Sequence, residues 1–209
     1  MPKKNKRSPA WLKEHFTDPY VQRAQREGWR SRAVFKLQEM DMRDRLIRSG
    51  QRIVDLGAAP GGWSQYAARR LEGRGEVFAL DILPMHPLPG VFTLQADFSE
   101  PEALEQLRVA MGGQGADLVL SDMSPNISGM AEVDLPRHLH LAEMALEAAL
   151  ALLKPGGVFL IKMFSGVGVD GYLRALRGAF RRVDIRKPEA SRSRSRELYL
   201  LAREPKASV

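Results

Sequence analysis

Short apolar runs separated by helix-length stretches constrain the fold of this 209-residue chain more than any other feature. The runs lie at residues 53–56, 77–80, 118–120 and 158–161, and the predicted helices between them at 63–71, 101–111 and 136–153. The runs are continuous rather than alternating, which is typical of parallel strands covered on both faces. A helix near 169–180 and strands at 183–185 and 198–201 follow. This order predicts a doubly wound, mostly parallel α/β sheet of the Rossmann type.

The N-terminal side of the sheet is predicted to carry a helical extension. Ser31 and Gly50 bracket a segment with apolar residues at helical spacing, and they are residue types that flank the two ends of helices. Residues 1–17 are polar and basic and predict a mobile arm. We therefore expect a basic arm and extension over residues 1–30 and a single domain over residues 31–209.

Composition excludes several classes of protein. The absence of Cys rules out a disulfide framework, a thiolate metal site and a cysteine nucleophile, and it allows a cytoplasmic location. The N-terminus lacks the apolar stretch of a signal peptide, and the most apolar long segment, residues 139–153, is interrupted by Glu143 and Glu147. His138 and His140 face different ways on the predicted helix. We expect a cytoplasmic protein with neither a membrane span nor a metal site.

Positive charge is concentrated in two segments. Residues 1–32 contain nine basic and three acidic side chains, and residues 181–196 contain seven basic and two acidic ones. The rest of the chain has 16 basic and 20 acidic residues, so the net charge of +7 conceals a mildly acidic body. A single charge run is usually a solvated surface, but two of them flanking one body predict a polyanion-binding surface.

Three features collect where strands of the predicted sheet end, which is where such sheets bind ligands. The loop at residues 57–62 is rich in glycine, so its backbone can approach a ligand closely. Asp81 ends the second strand, in position to accept hydrogen bonds from both ribose hydroxyls of an adenosine. Asp97, in the segment 94–98, follows a further predicted strand between residues 81 and 97, in position to meet an adenine amino group. Together these features predict a site for an adenosine-bearing ligand.

Five motifs resemble, in sequence order, those of the FtsJ/RrmJ (RlmE) family of ribosomal RNA 2′-O-methyltransferases. They lie at residues 31–37, 55–63, 121–126, 159–164 and 187–199. The resemblance implies a methyltransferase fold that uses S-adenosyl-L-methionine, with the cofactor contacted by Gly61, Trp63, Asp81, Asp97 and Asp122. Asp55 and Gly57, which belong to the motif at residues 55–63, complete the predicted cofactor site.

The same resemblance implies a catalytic set of four residues: Lys36, Asp122, Lys162 and Glu197. It also implies the target, a uridine in the A-loop of 23S ribosomal RNA within the large ribosomal subunit, and a role in ribosome maturation. We expect the protein to act there as a monomer.

The residue types of this set suit transfer of a methyl group to a ribose hydroxyl. A sulfonium already activates the methyl group, so the protein must chiefly align the reactants and help the hydroxyl to lose its proton. Lys162 ends an apolar strand, and burial favours the uncharged form of a lysine. We expect Lys162 to deprotonate or steer the hydroxyl and Asp122 to orient Lys162. Lys36 and Glu197 are expected to position the ribose and adjust the local charge.

Both basic segments lead directly into this set. The basic residues before Lys36 are Arg23, Arg26, Arg30 and Arg32. The basic residues before Glu197 are Arg186, Lys187, Arg192, Arg194 and Arg196. Side chains of these types suit contacts to phosphates, and the need for a 2′-hydroxyl favours RNA over DNA.

Other functions stay open. A related enzyme that methylates tRNA riboses would carry the same four residues. A noncatalytic RNA-binding assembly factor on this fold has no need of them, and an NAD-dependent oxidoreductase is disfavoured because the glycine spacing is not G-x-G-x-x-G. Residues 122–125 are similar to the Asp-Pro-Pro-Tyr motif of amino-methyltransferases, but they lack the aromatic residue that stacks on a flipped base.

Overall fold

The computed structural model describes residues 17–125, 129–166, 168–192 and 195–207. The predicted arm, apart from its last residue, lies outside these ranges, as does Arg194 of the second basic segment. The division of the chain at residue 30 therefore stays a prediction.

Six helices and seven strands follow one another along the described chain in a mostly alternating order. The helices are α1 (Pro19–Arg26), α2 (Val34–Asp44), α3 (Gly62–Leu71), α4 (Pro101–Ala110), α5 (Ala131–Leu152) and α6 (Val169–Ala179). The strands are β1 (Arg52–Leu56), β2 (Glu76–Asp81), β3 (Val91–Gln95), β4 (Ala116–Ser121), β5 (Leu153–Phe164), β6 (Phe180–Arg186) and β7 (Glu197–Pro205). Among the helices in the described ranges, none combines the length and the apolarity needed to cross a membrane.

The strands form one sheet in the order β3-β2-β1-β4-β5-β7-β6. Neighbours from β3 to β5 run parallel, whereas β7 lies antiparallel between β5 and β6. The order grows outward from β1 in both directions, which is the doubly wound arrangement. The predicted mostly parallel α/β fold is confirmed, with an antiparallel strand inserted near one edge.

Helices cover both faces of the sheet. Ile53 of β1 packs into one hydrophobic cluster with α2 and α3, while the next residue, Val54, packs into a second cluster with α5 and α6. Leu160 and Ile161 of β5 divide in the same way. Because both faces of a strand are covered, its central positions are apolar apart from the buried Asp55 of β1, which explains the continuous runs in the sequence. Burial of each such side chain contributes about 1.5–3 kcal/mol.

The helix predicted to end at Gly50 stops at Asp44, so the predicted end was wrong. Arg45 adopts the left-handed conformation, with φ 51°, and its N–H donates to the carbonyl of Asp41 at 2.7 Å. The buried carboxylate of Asp41 accepts the N–H of Ile47 at 2.8 Å, which turns the chain and brings Ile47 into the core. A side chain inside the helix thus fixes its end, in place of the glycine.

Helix α5 begins at Ala131 rather than at the predicted residue 136, so this boundary also was wrong. Pro136 lies inside the helix, where its missing N–H removes one backbone hydrogen bond. Glu132 and Asp134 in the first turn interact favourably with the helix dipole. The proline therefore does not mark the helix start.

Candidate active site

A cavity of about 540 Å³ opens at the carboxyl edge of the parallel strands. Four of the predicted cofactor residues line it: Gly57, Asp81, Asp97 and Asp122. Apolar side chains complete the walls, among them Phe98, Met123, Leu141 and Met144. The other three, Asp55, Gly61 and Trp63, are not among the lining residues. The structure thus brings the predicted adenosine-side residues together around one space.

The glycine loop is shaped by residues that meet it from elsewhere in the chain. Gly57 has φ +71°, and a Cβ there would lie 2.0 Å from Cγ of Met123, so a larger residue does not fit. Arg30 donates to the carbonyls of Pro60, His86 and Pro87 at 3.1, 2.7 and 2.8 Å. The predicted phosphate role of Arg30 is therefore wrong, because its guanidinium is committed to holding this loop.

The carboxylates that line the cavity are held by backbone groups. Asp81 accepts the N–H groups of Ala59 and Leu83, both at 2.8 Å. Asp97 accepts the hydroxyl and the N–H of Ser99 at 2.7 and 2.9 Å, and these hydrogen bonds lower the pKa of Asp97. Both side chains are therefore held in place as hydrogen-bond acceptors.

Asp55 and Trp63 lie behind the cavity. Asp55 is 1% exposed and accepts the Ser64 hydroxyl at 2.6 Å, and burial raises its pKa to about 7. Trp63 is also buried and donates from Nε1 to the carbonyl of Ala33 at 2.8 Å. These side chains secure α3 and the glycine loop rather than facing the space that a ligand would fill.

The raised pKa of Asp55 predicts a pH-dependent loss of stability. The folded state retains the carboxyl proton up to pH 7 whereas the unfolded chain loses it near the ordinary value of 3.8, so stability falls as pH rises between these values. The full difference is about 4 kcal/mol. Asp55→Asn, which can still accept the Ser64 hydroxyl, should gain stability over the original chain by up to about this amount between pH 4 and pH 8.

Urea unfolding of both chains at several pH values checks this expectation. Glu105→Gln is the matched control, because Glu105 is an exposed carboxyl group on α4 and its replacement should give a difference that does not change with pH. A constant difference between Asp55→Asn and the original chain would contradict the buried neutral carboxyl group.

The four predicted catalytic residues form two ion pairs. Nζ of Lys162 donates to the backbone carbonyl of Asp122 at 2.5 Å and lies 3.1 Å from its Oδ1. Nζ of Lys36 lies 2.7 Å from Oε1 of Glu197. Both lysines and Glu197 are buried. Burial by itself raises the pKa of Glu197, but the charge of Lys36 and its hydrogen bond outweigh burial and lower it.

Tyr199 connects the two pairs and was missed by the sequence reasoning. Its hydroxyl donates to Oδ1 of Asp122 at 2.8 Å, and Nζ of Lys36 lies 5.8 Å from the centre of its ring. Burial, and then the charge of Asp122, raise the pKa of Tyr199. The signal was present in the sequence, because in a strand Glu197 and the residue two positions later point to the same face.

A second cavity, of about 320 Å³, lies over the Lys36–Glu197 pair. Its other lining residues are Arg32, Ala33, Ser124, Phe164, Arg192 and Ser195. Ser124 lines both cavities, so the two spaces are neighbours. The first cavity is lined by the carboxylates of Asp81, Asp97 and Asp122. The second cavity is lined by three cations, Arg32, Lys36 and Arg192.

The two basic segments meet beside this second cavity. Arg32 and Arg192 both pair with Asp18, and Arg32 also donates to the carbonyl of Ala190. In contrast, Arg186 makes a two-pronged hydrogen bond to Asp44 at 2.7 and 2.8 Å. The predicted phosphate role of Arg186 is therefore wrong, because its donors are directed inward.

Lys187 also binds inside the protein. Its Nζ donates to the carbonyls of Ser195 and Glu197, which fixes the segment that leads into β7. The predicted phosphate role of Lys187 stays a prediction, because these two contacts leave one N–H donor on an exposed side chain. The second basic segment thus combines cations that shape the site with others that face it.

The two histidines on α5 have different surroundings. His138 is buried against the ring of Phe164, and burial, with the nearby charge of Lys162, lowers its pKa to about 4. His140 is exposed at the rim of the acidic cavity. Over the described part of the chain, no three His, Asp or Glu side chains lie close enough together to hold a metal ion.

A doubly wound sheet with an antiparallel strand near one edge, and an acidic cavity beside a buried Lys–Asp pair, define a Rossmann-like methyltransferase. A solved structure of a Plasmodium falciparum protein described as a ribosomal RNA methyltransferase superimposes with a TM-score of 0.78 at 24% identity, covering 85% of this chain and 98% of that one. The chain belongs to the FtsJ-like methyltransferase family, whose model matches residues 29–205.

Two relatives are similar to the chain over nearly its whole length. The ribosomal RNA large subunit methyltransferase E of Chromohalobacter salexigens is 57% identical over 198 residues, which are 95% of this chain and 94% of the relative. The protein of the same name from Xanthomonas campestris pv. campestris is 54% identical over 209 residues, the full length of both.

Proposed function

We propose that this enzyme transfers the methyl group of S-adenosyl-L-methionine to a ribose 2′-hydroxyl of large-subunit ribosomal RNA, and that the target is a uridine in the A-loop of 23S RNA. The observation that carries the proposal is the buried Lys162–Asp122 pair, whose aspartate lines the acidic cavity that adjoins the cationic one at Ser124. The names of the two full-length relatives support the choice of RNA. The uridine rests on the motif resemblance alone.

The acidic cavity fits the cofactor. S-Adenosylmethionine is a cationic adenosine derivative, and the cavity provides carboxylates at Asp81, Asp97 and Asp122 between apolar walls. Its volume lies in the range of small-molecule sites, about 300–1,000 Å³. The bare backbone at Gly57 allows a ligand to lie close to the chain. When bound, the cofactor supplies a methyl group activated by a positively charged sulfur.

Lys162 would act on the ribose hydroxyl. A lysine ammonium has three N–H donors, and the two contacts with Asp122 leave one for the oxygen of the hydroxyl. Asp122, itself held by Tyr199, fixes the direction of that donor. As the oxygen bonds to the methyl carbon, the ammonium of Lys162 stabilises the negative charge that develops, and the proton of the hydroxyl passes to solvent; only the uncharged amine, with two N–H donors, accepts that proton itself.

Lys36 and Glu197 would hold the ribose in line with the methyl group. Their ion pair lines the cationic cavity, where Arg192 is placed to meet a flanking phosphate, while the guanidinium of Arg32 is held by Asp18 and the carbonyl of Ala190. Alignment of two reactants in this way removes much of the entropic barrier to their reaction.

Methyl incorporation into defined RNAs tests the proposal. The enzyme would be incubated with labelled S-adenosylmethionine and either large ribosomal subunits, free 23S RNA or tRNA, and the modified nucleotide mapped. We expect labelling of one A-loop uridine at its 2′-oxygen. Labelling of tRNA riboses would favour the alternative substrate, and binding to subunits without any transfer would favour the assembly factor.

Removal of the Asp81 carboxylate should weaken cofactor binding. Loss of two charge-assisted hydrogen bonds to ribose hydroxyls, each worth about 1.5–3 kcal/mol, predicts at least about a 100-fold higher Kd for Asp81→Ala. Calorimetric titration with S-adenosylmethionine measures this, and Glu105→Ala on the exposed face of α4 is the control. A Kd within a few-fold of that of the original chain would show that Asp81 does not bind the ribose.

A further inference from the structure

We propose that Phe164 is the surface on which the base of the target nucleotide stacks while its ribose lies at Lys162. This inference rests on the proposed function and adds to it the residue that holds the base. It gives an aromatic side chain to a site that the residues from 122 to 125 leave without one.

The strand register brings Phe164 to the ion pairs. Phe164 ends β5 directly opposite Glu197 of β7, and Lys162 lies opposite Tyr199. Opposed residues of antiparallel strands, and residues two apart along one strand, share a face of the sheet. The four side chains therefore form one surface at the carboxyl end of β5.

The distance from Lys162 suits contact with the base of the same nucleotide. Nζ of Lys162 lies 5.9 Å from the centre of the Phe164 ring. The 2′-hydroxyl and the base are attached to neighbouring carbons of the ribose, so a hydroxyl at Lys162 brings its own base to a ring this near. Phe164 is also the aromatic side chain among the described residues that line the cationic cavity.

The ring is held in place by the protein on one side. His138 is 4% exposed, and its ring centre lies 4.7 Å from that of Phe164 at an angle of 59°. Phe164 itself is half-buried, so part of its surface faces the cavity. A fixed, partly exposed ring beside cations is how proteins hold unpaired RNA bases, because the base stacks while the cations contact phosphates.

The test compares two enzymes on two substrates. The substrates are reconstituted large subunits whose A-loop target is either uridine or an abasic ribose that keeps its 2′-hydroxyl. The enzymes are the original chain and Phe164→Leu, which keeps an apolar side chain but removes the flat ring. On uridine, kcat/KM should fall about 10- to 100-fold in Phe164→Leu, the effect of losing one stacked base. On the abasic substrate the two enzymes should differ by less than about three-fold, because there is no base to stack.

Control variants separate stacking from packing. Phe164→Tyr keeps the ring and should retain activity on uridine, and Phe92→Leu, at an exposed phenylalanine on the far edge strand β3, should change nothing. If Phe164→Leu lowers the melting temperature, Phe164→Met, which fills irregular space, takes its place.

Two results would overturn the inference: full activity of Phe164→Leu on uridine, or an equal loss on both substrates, since equal loss indicates a distorted Lys162. No transfer to uridine by the original chain would instead overturn the proposed function, and the inference with it.

Discussion

Replacement of Lys162 by alanine should abolish methyl transfer while leaving cofactor binding nearly intact. Removal of a positioned acid–base group costs about 10²–10⁴-fold in rate, and we expect a loss near the upper end because we propose that Lys162 contacts the reacting oxygen. It is not among the residues that line the acidic cavity, so the Kd for S-adenosylmethionine should stay within a few-fold. Single-turnover methylation of large subunits and calorimetric titration measure the two quantities.

Lys154→Ala is a matched control for this experiment. Lys154 lies near the other end of the same strand and also pairs with an aspartate, Asp117, at 2.5 Å. Its replacement should leave the rate unchanged. Near-normal methylation by Lys162→Ala would exclude the assigned role.

A second variant distinguishes the two ways in which Lys162 can act. A guanidinium stays protonated in proteins, so Lys162→Arg keeps the positive charge but cannot accept a proton. Partial activity in Lys162→Arg would indicate that Lys162 acts mainly by steering and stabilising the oxygen. Complete loss, with cofactor affinity retained, would indicate proton transfer.

Breaking the Lys36–Glu197 pair should destabilise the fold, and removing both charges should restore most of the loss. Lys36→Met leaves the carboxylate of Glu197 buried without its cation, and such a change costs about 3–5 kcal/mol. In a domain of this size that corresponds to a fall in Tm of about 10 °C. In Lys36→Met/Glu197→Gln no charge is left unpaired, so we expect the Tm to recover by more than half while activity stays low.

Thermal unfolding of the two single variants and the double variant measures this coupling. Glu27→Gln is the matched comparison, because the Arg23–Glu27 pair has a similar distance, 2.6 Å, but is exposed, and its loss should leave the Tm unchanged. Additive losses from the two single changes would show that the pair contributes nothing as a pair.

The sheet was predictable from the sequence because burial on both faces requires consecutive apolar residues in each strand. Ile53 and Val54 enter opposite hydrophobic clusters, so neither position tolerates a polar side chain, and the run is visible without any knowledge of its neighbours. No comparable sequence pattern marks the end of α2. It depends on the carboxylate of Asp41, whose partners include Tyr66 and Arg70 on a different helix.

Some residues of the site could also be predicted from the sequence and others could not. Asp81 and Asp97 were predictable because parallel strands end at one edge of the sheet. The hydrogen bonds of Arg30 could not be predicted from the sequence, because its acceptors His86 and Pro87 belong to a loop distant in sequence and offer only backbone carbonyls. A basic residue next to a motif was interpreted as a phosphate ligand, although only tertiary structure decides whether its donors face inward. Tyr199 could have been predicted, because it lies two residues after Glu197 in β7 and residues two apart along a strand point to the same face.

The insertion of β7 between β5 and β6 has a consequence for the order of assembly during synthesis. Strand β6 leaves the ribosome before β7, yet it pairs with no other strand in the sheet. Strand β6 can therefore enter the sheet only after β7 has been synthesised. Glu197 and Tyr199 arrive with that strand, so the Lys36 pair and the clamp on Asp122 form only when the chain is almost complete. A nascent chain that has already folded its cofactor half still lacks the residues that we propose hold the ribose, so we expect catalytic competence to be the last property that the molecule acquires.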